Sequence, residues 1–122
     1  MSKAILVVDD SSVMRMTIES VLKESGYIVL QADNGQAALD VLAQNRVDLI
    51  VSDVNMPIMD GLTLAQNVKK IDSYKFIPII MLTTVSAQDQ MQVGREAGVK
   101  AWIVKPFEPK KLSGAVAKLL GI

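Results

Sequence analysis

Any chemistry in this chain must use carboxylates, hydroxyls, amides and lysines, because the sequence contains no histidine and no cysteine. The missing histidine removes the commonest general base and a usual zinc ligand, and the missing cysteine removes disulfides and thiolate nucleophiles. Among the remaining residues, the Asp9-Asp10 pair and Asp53 each follow a short apolar run. Thr83 ends another such run, and Lys105 follows a fourth. These five side chains are the candidates for a functional site.

Carboxylates that meet at one place repel each other and must protonate, pair with a cation or bind a metal ion. One lysine cannot neutralise three carboxylates, whereas Mg²⁺ typically binds one or two carboxylates together with waters and phosphate oxygens. A carboxylate beside Mg²⁺, with a lysine and a hydroxyl nearby, suits phosphoryl transfer, because there the protein mainly positions groups and neutralises charge. An aspartate can itself be the nucleophile, in which case it carries an acyl phosphate.

Such a site needs a parallel sheet to bring the five side chains together, and the sequence predicts one. Four nearly continuous apolar runs are typical of strands covered on both faces, and a weaker run indicates a more exposed strand. In chain order the predicted strands are Ala4–Val8, 27–32 (the weaker one), 48–52, 78–83 and 101–104. Segments with helical spacing follow each strand, which predicts an α/β fold with helices on both faces of the sheet. Ligands bind beyond the carboxyl ends of such strands, which is where the candidate residues fall.

The limits of the helices follow from capping residues and glycines. Ser11 or Ser12 can cap the first helix. Three glycines stand where helices should stop: Gly26, Gly98 and Gly121. The segment 87–97 also has helical spacing, but its apolar stripe is thin, which predicts a helix that is mobile or faces a partner.

Composition excludes several other classes of protein. A chain of 122 residues suits one domain, and 13 basic and 13 acidic residues give it no net charge. This balance argues against nucleic-acid binding and against electrostatic docking to a membrane. The first apolar run is too short for a signal peptide or a membrane span. We therefore expect a cytoplasmic monomer with no nucleic-acid or membrane partner.

Each candidate residue taken alone also has an ordinary explanation. The Asp9-Asp10 pair could be a loop and helix cap, Asp53 a solvated loop residue, Thr83 a strand residue and Lys105 a surface lysine. Their joint placement at the same end of four strands is much less probable by chance. Four other aspartates lie within or before helices, or before a strand, and are interpreted as solvated: Asp40, Asp48, Asp72 and Asp89.

Several motifs resemble those of bacterial response-regulator receiver domains, among them the single-domain regulators of chemotaxis. They are Val-Val-Asp-Asp-Ser at 7–11, Ser-Asp-Val-Asn-Met-Pro-Ile-Met-Asp-Gly-Leu at 52–62, Ile-Pro-Ile-Ile-Met-Leu-Thr at 77–83, Ala-Gly at 97–98 and Val-Lys-Pro-Phe at 104–107. The resemblance covers essentially the whole chain, so one receiver domain is expected over residues 1–122. It implies a doubly wound, flavodoxin-like sheet of five parallel strands in the order 2-1-3-4-5, with five helices.

The resemblance also implies a role for each residue of the site. Asp53 would be the phosphoacceptor, and Asp10 and Asp53 would supply carboxylate ligands to Mg²⁺. Asn55 would contribute its backbone carbonyl, and Asp9 would act mostly through a metal-bound water. Lys105 would pair with Asp53 and then with the phosphoryl oxygens.

A switch is implied as well. Thr83 would turn its hydroxyl onto the phosphoryl group, and an aromatic residue of the fifth strand, here Trp102, would turn inward. Thr84 stands where a smaller residue is more usual and would crowd the path of Trp102. The output surface would be the fourth helix, fifth strand and fifth helix. Val85, two residues beyond Thr83, offers no hydrogen bond to an attacking water, so the acyl phosphate should not be unusually short-lived.

The implied function is that of a regulatory protein which takes a phosphoryl group from a partner histidine kinase and docks on the flagellar motor switch or another phosphorylation-dependent target. A phosphorelay shuttle and a receiver cut from a longer transcriptional regulator remain alternatives. An enzyme that hydrolyses phosphate esters with an aspartate nucleophile often has a second aspartate two residues later as its general acid. Asn55 stands there and cannot transfer a proton. A nucleotide-binding loop would need glycines where Asp-Asp-Ser-Ser follows the first strand.

Overall fold

The computed structural model describes residues 2–84 and 88–122. Within these ranges it contains one parallel sheet of five strands with five helices. The strands are β1 (Ala4–Val8), β2 (Ile28–Ala32), β3 (Leu49–Asp53), β4 (Ile79–Thr83) and β5 (Val99–Val104). The helices are α1 (Ser12–Glu24), α2 (Gly35–Gln44), α3 (Gly61–Val68), α4 (Gln88–Glu96) and α5 (Pro109–Leu120), with a short 3₁₀ turn at Asp72–Tyr74. The spatial order β2-β1-β3-β4-β5 confirms the predicted doubly wound fold.

Alternate residues of the central strands face opposite layers, as the pleat of a strand requires. In β1, Leu6 and Val8 pack with residues of α2 and α3, whereas Ile5 and Val7 pack with residues of α1 and α5. The sheet is therefore buried on both faces, which accounts for the continuous apolar runs of its strands. The edge strand β2 is more exposed, as its weaker pattern predicts.

Local signals set the helix ends. The hydroxyl of Ser11 accepts a hydrogen bond from the Met14 amide at 3.2 Å, so Ser11 is the cap of α1. Gly26 and Gly98 lie just beyond α1 and α4 with φ of 91° and 90°, a left-handed conformation that favours glycine. The predicted stops are confirmed, including Gly121 after α5.

The thin stripe predicted for segment 87–97 corresponds to α4. Ala97 is buried just after this helix, whereas Val93 is exposed. Ala87 and Val85 lie outside the described residues. No helix in the described part of the chain has both the length and the apolarity to span a membrane.

Candidate functional site

The carboxyl ends of β1, β3, β4 and β5 bring the candidate side chains to one edge of the sheet. Asp9 directly follows β1, Asp53 ends β3, Thr83 ends β4 and Lys105 follows β5. One carboxylate oxygen from each of Asp9, Asp10 and Asp53 lies within 4.8 Å of the other two. The structure thus assembles the acidic cluster that the strand ends predicted.

Asp9 is the most completely held member of this cluster. Its residue is 1% exposed, its Oδ1 accepts a hydrogen bond from the Ser11 amide at 2.9 Å, and its Oδ2 accepts one from Lys105 Nζ at 3.1 Å. Its own amide donates to the carbonyl of Ala32 in β2 at 3.1 Å. Since both carboxylate oxygens are already bound, Asp9 is the acid least able to coordinate a cation directly.

Only one of the two carboxylate oxygens of Asp53 has a polar partner among the described residues. Oδ1 accepts a hydrogen bond from the Val54 amide at 2.8 Å and lies 3.4 Å from Lys105 Nζ, while the described residues offer no donor to Oδ2. Burial raises the pKa of the Asp53 carboxyl above its ordinary value, the Lys105 ammonium opposes that rise, and the Asp9 carboxylate adds to it. A charge in this position favours a cation or another positive partner.

Two residues of the predicted metal site, Asp10 and Asn55, differ from Asp9 in their exposure. Both are exposed, and the carboxylate of Asp10 receives no hydrogen bond from the described residues. Asn55 follows Asp53 by two residues, in the loop between β3 and α3. The donor set consists of oxygen atoms and includes an uncommitted carboxylate, so it fits a hard divalent cation such as Mg²⁺.

Lys105 bridges Asp9 and Asp53 with a side chain that is 13% exposed. Its amide donates to the carbonyl of Thr83 at 2.7 Å, which ties the end of β5 to the end of β4. The Lys105-Pro106 peptide bond is cis. Thr83 is buried and Thr84 is exposed.

Gly61, the first residue of α3, lies against the backbone of Asp53, the candidate phosphoacceptor. The Gly61 amide donates to the Val54 carbonyl at 2.8 Å, and a Cβ at position 61 would overlap the carbonyl oxygen of Asp53. The side chain of Asp60 caps α3 by accepting from the Thr63 amide at 2.7 Å. The Asp60-Gly61 motif signals a turn, but only the fold shows that Gly61 abuts the site.

Trp102 of β5 lies over α4. Its ring contacts the backbone of Gly94 so closely that a Cβ at position 94 would overlap it. The indole N–H is buried and has no hydrogen-bond partner among the described residues. Trp102 is the candidate switch residue. No sequence pattern predicted its contact with Gly94.

The expectation that Asp48 is solvated is wrong. Its side chain is 16% exposed and pairs with Arg46 at 3.8 Å, and its Oδ2 accepts a hydrogen bond from the Ala4 amide at 2.8 Å. It therefore holds the start of β1 at the edge opposite the site. Asp40 and Asp72 are exposed as predicted, and the side chain of Asp89 lies outside the described residues.

Comparison with known proteins identifies the class to which this fold and site belong. The family model of the response regulator receiver domain matches residues 5–117, and the chain belongs to this family. Among individual proteins, the chemotaxis protein CheY homolog of Campylobacter jejuni is 41% identical over 119 residues, which are 96% of this chain and 92% of that one. The chain is thus a receiver domain of the CheY-like type.

Solved structures agree with this assignment. The chemotaxis response regulator CheY4 of Vibrio cholerae is 38% identical, with a TM-score of 0.92 and coverage of 98% of this chain and 99% of that one. The receiver domain of a sensor histidine kinase of Pseudomonas aeruginosa, crystallised with a magnesium ion in its active-site cleft, is 27% identical, with a TM-score of 0.90 and full coverage of both chains. Receiver domains bind Mg²⁺ at an acidic pocket, and Asp9, Asp10 and Asp53 form an acidic cluster in this chain.

Proposed function

We propose that Asp53 accepts a phosphoryl group from a phosphohistidine of a partner kinase and thereby switches a surface of this protein. One observation carries the proposal. The Asp53 carboxylate lies beside two further acids and Lys105, its Oδ1 is oriented by the Val54 amide, and its Oδ2 has no donor among the described residues. An oriented carboxylate with one uncommitted oxygen is suited to act as a nucleophile.

In the proposed reaction, an Asp53 oxygen attacks the phosphorus atom and the bond from phosphorus to the histidine nitrogen breaks. The Val54 amide keeps the carboxylate oriented, and the Lys105 ammonium stabilises the negative charge on the transferring oxygens. Asp10, Asp53 and the carbonyl of Asn55 would hold Mg²⁺, and Asp9 would act through a water. When bound, Mg²⁺ offsets the mutual repulsion of the acids and the phosphoryl oxygens.

The switch would start from the new charge on Asp53. Lys105 would exchange its contact with Asp53 for the phosphoryl oxygens, and Thr83 would turn its hydroxyl toward them. Trp102 would respond through β5, with Thr84 limiting its path. Val93 of α4 and Val104 of β5 are exposed hydrophobic residues on the proposed output surface. To change the ratio of active to inactive conformations from 1:99 to 99:1, phosphorylation must favour the active conformation by about 5.5 kcal/mol.

Chemotaxis is the proposed pathway, with a chemotaxis-type histidine kinase as donor and the flagellar motor switch as target. The chemotaxis proteins named above, similar over nearly their whole length, support this choice. The similarity to a receiver domain of a sensor histidine kinase supports the alternative of a phosphorelay component. We infer a regulatory role rather than that of a hydrolase, because Asn55 cannot act as a general acid. Residues 1–122 as one domain, the cytoplasmic location and the monomeric state stay predictions.

The direct test is phosphorylation with acetyl phosphate and Mg²⁺, followed by intact mass measurement. The wild type should gain one phosphoryl group, and Asp53→Asn should gain none. Asp40→Asn, which removes an exposed carboxylate on α2, is the matched control and should behave as the wild type. A phosphoryl gain by Asp53→Asn, or an undiminished gain in the presence of a chelator, would contradict the proposal.

The proposed switch can be followed through the intrinsic fluorescence of Trp102, the single tryptophan of the chain. Beryllofluoride, a mimic of the acyl phosphate, should shift its emission when Mg²⁺ is present. An unchanged spectrum in protein that is shown to carry the mimic would disprove coupling through this residue. The loaded protein should then be screened against motor-switch peptides and histidine phosphotransfer domains, since preferential binding to one of them separates the two pathways.

A further inference from the structure

Arg15 of α1 binds the backbone of the acidic site and not a carboxylate. Its Nη1 donates a hydrogen bond to the carbonyl oxygen of Asp9 at 2.6 Å. Its Nε donates to Oε1 of Gln31 on β2 at 3.0 Å. The guanidinium is thus held at two points, and one of them is the peptide that joins Asp9 to Asp10.

Further polar contacts fix the orientation of Gln31. Its Nε2 donates to Glu19 Oε2 at 2.5 Å, and Glu19 forms an ion pair with Lys23 at 3.3 Å. The hydrogen bond from Gln31, and then Lys23, lowers the pKa of the Glu19 carboxyl. Because the Gln31 amide accepts from Arg15 while it donates to Glu19, its two ends are not interchangeable, and Arg15 has one preferred position.

The Asp9-Asp10 peptide is the part of the site that needs this support. Asp9 is already fixed through its amide and both carboxylate oxygens. The Asp10 carboxylate receives no hydrogen bond within the described ranges, so its direction depends on the plane of the peptide before it. Arg15 contacts the oxygen of that peptide.

We propose that Arg15 is a positioning residue for the Mg²⁺ site. It holds the Asp9-Asp10 peptide so that the Asp10 carboxylate stays within 4.8 Å of the Asp53 carboxylate. The inference rests on the proposed function, because it assumes that these two acids bind the cation. Partners that orient metal ligands in this way typically change metal affinity about 10- to 100-fold when they are removed.

Arg15→Met distinguishes a positioning role from a purely electrostatic one, because the two roles predict opposite changes in the affinity for Mg²⁺. Removing a positive charge next to three acids should tighten Mg²⁺ binding by electrostatics alone. Loss of positioning should weaken it, and we expect the dissociation constant from calorimetric titration to rise about tenfold. Arg46→Met, which removes an arginine paired with Asp48 at the opposite edge of the sheet, is the control and should leave the affinity within about twofold.

Two further variants distinguish positioning from a general loss of structure. Arg15→Lys keeps the charge and one donor and should recover part of the affinity, and Gln31→Ala, at an exposed position, should weaken binding about two- to threefold. In metal-free protein, the NMR signal of the Asp10 amide should move in Arg15→Met and not in Arg46→Met. Unchanged or tighter Mg²⁺ binding in both Arg15→Met and Gln31→Ala would overturn the inference.

An Asp53→Asn titration separates this inference from the proposed function. If Asp53→Asn binds Mg²⁺ as tightly as the wild type, the proposed site itself is wrong, and the role of Arg15 falls with it. If Asp53→Asn weakens binding but the Arg15 and Gln31 variants do not, only the role of Arg15 is disproved.

Discussion

Gly61 and Gly94 both lie on helices at points where a helix touches the sheet, but they touch different parts of it. At Gly61, a Cβ would meet the backbone carbonyl of Asp53. At Gly94, a Cβ would meet the ring of Trp102. A backbone carbonyl in a central strand cannot move without breaking the sheet, whereas a side chain can change its rotamer.

Several polar groups around Asp53 have hydrogen-bond partners, whereas the polar group of Trp102 has none among the described residues. Around Asp53, backbone amides and Lys105 bind three of the carboxylate oxygens of the site. Around Trp102, the indole N–H is buried without a partner in the described part of the chain. An unsatisfied buried donor makes its position less favourable than its packing alone suggests. Among the described residues, the acidic edge is therefore held by more polar contacts than the side chain of Trp102 is.

The largest effect should come from Gly61→Ala. The new Cβ would overlap the Asp53 carbonyl, so either β3 or the start of α3 must shift, at a cost of about 3 kcal/mol in the free energy of unfolding. Urea unfolding would measure this loss, and calorimetry should show weaker Mg²⁺ binding. A variant with wild-type stability would show that the acidic edge adapts as readily as the region of Trp102.

Asp53→Asn should have the next largest effect and, without metal, should stabilise the protein. The pKa of Asp53 is raised on folding, so its ionised form disfavours the folded state at any pH above the folded pKa. That penalty disappears as pH falls below the unfolded pKa of about 3.9. With a chelator at pH 7, we expect a gain of about 1 kcal/mol that shrinks as the pH approaches 4.

Mg²⁺ should reverse the order of stability, so that the wild type becomes more stable than Asp53→Asn. Saturation at about 100 times the dissociation constant adds about 2.7 kcal/mol to the wild type, and Asp53→Asn should gain clearly less. Unfolding curves with and without the metal check both signs. A destabilised Asp53→Asn at pH 7 without metal would mean that the Lys105 contact outweighs the burial of the charge.

Gly94→Ala should change stability least while it moves Trp102. Alanine favours a helix over glycine by about 1 kcal/mol, which offsets much of the packing lost when the ring is displaced. We expect a net change below about 1 kcal/mol, a red-shifted emission maximum and easier quenching by acrylamide. An unshifted emission would mean that the ring is held as firmly as the acidic edge.

Gly114→Ala is the matched control for that substitution. Gly114 lies in α5, and a Cβ there would meet nothing within 4 Å. The change should raise the free energy of unfolding by about 0.5–1 kcal/mol and leave the Trp102 emission unchanged. Destabilisation would show that the advantage of alanine over glycine in a helix was overestimated for this chain.

The sequence was informative wherever a local pattern decided the structure. Continuous apolar runs predicted the central strands, and β3 and β5 begin only one or two residues from their predicted starts. Ser11 and the three glycines predicted helix ends because capping depends on the residue at the cap itself. The convergence of Asp9, Asp53 and Lys105 followed from the rule that the carboxyl ends of parallel strands meet at one edge.

Only the tertiary structure decided which of these groups contact each other. Lys105 bonds to Asp9 across 96 positions of sequence, and Asp48 is held by the Ala4 amide across 44 positions. Such contacts depend on strand register and helix placement, which no local pattern encodes. For the same reason, the hydrogen bond from Arg15 to the Asp9 carbonyl and the seating of Trp102 on Gly94 became visible only when separate elements packed together.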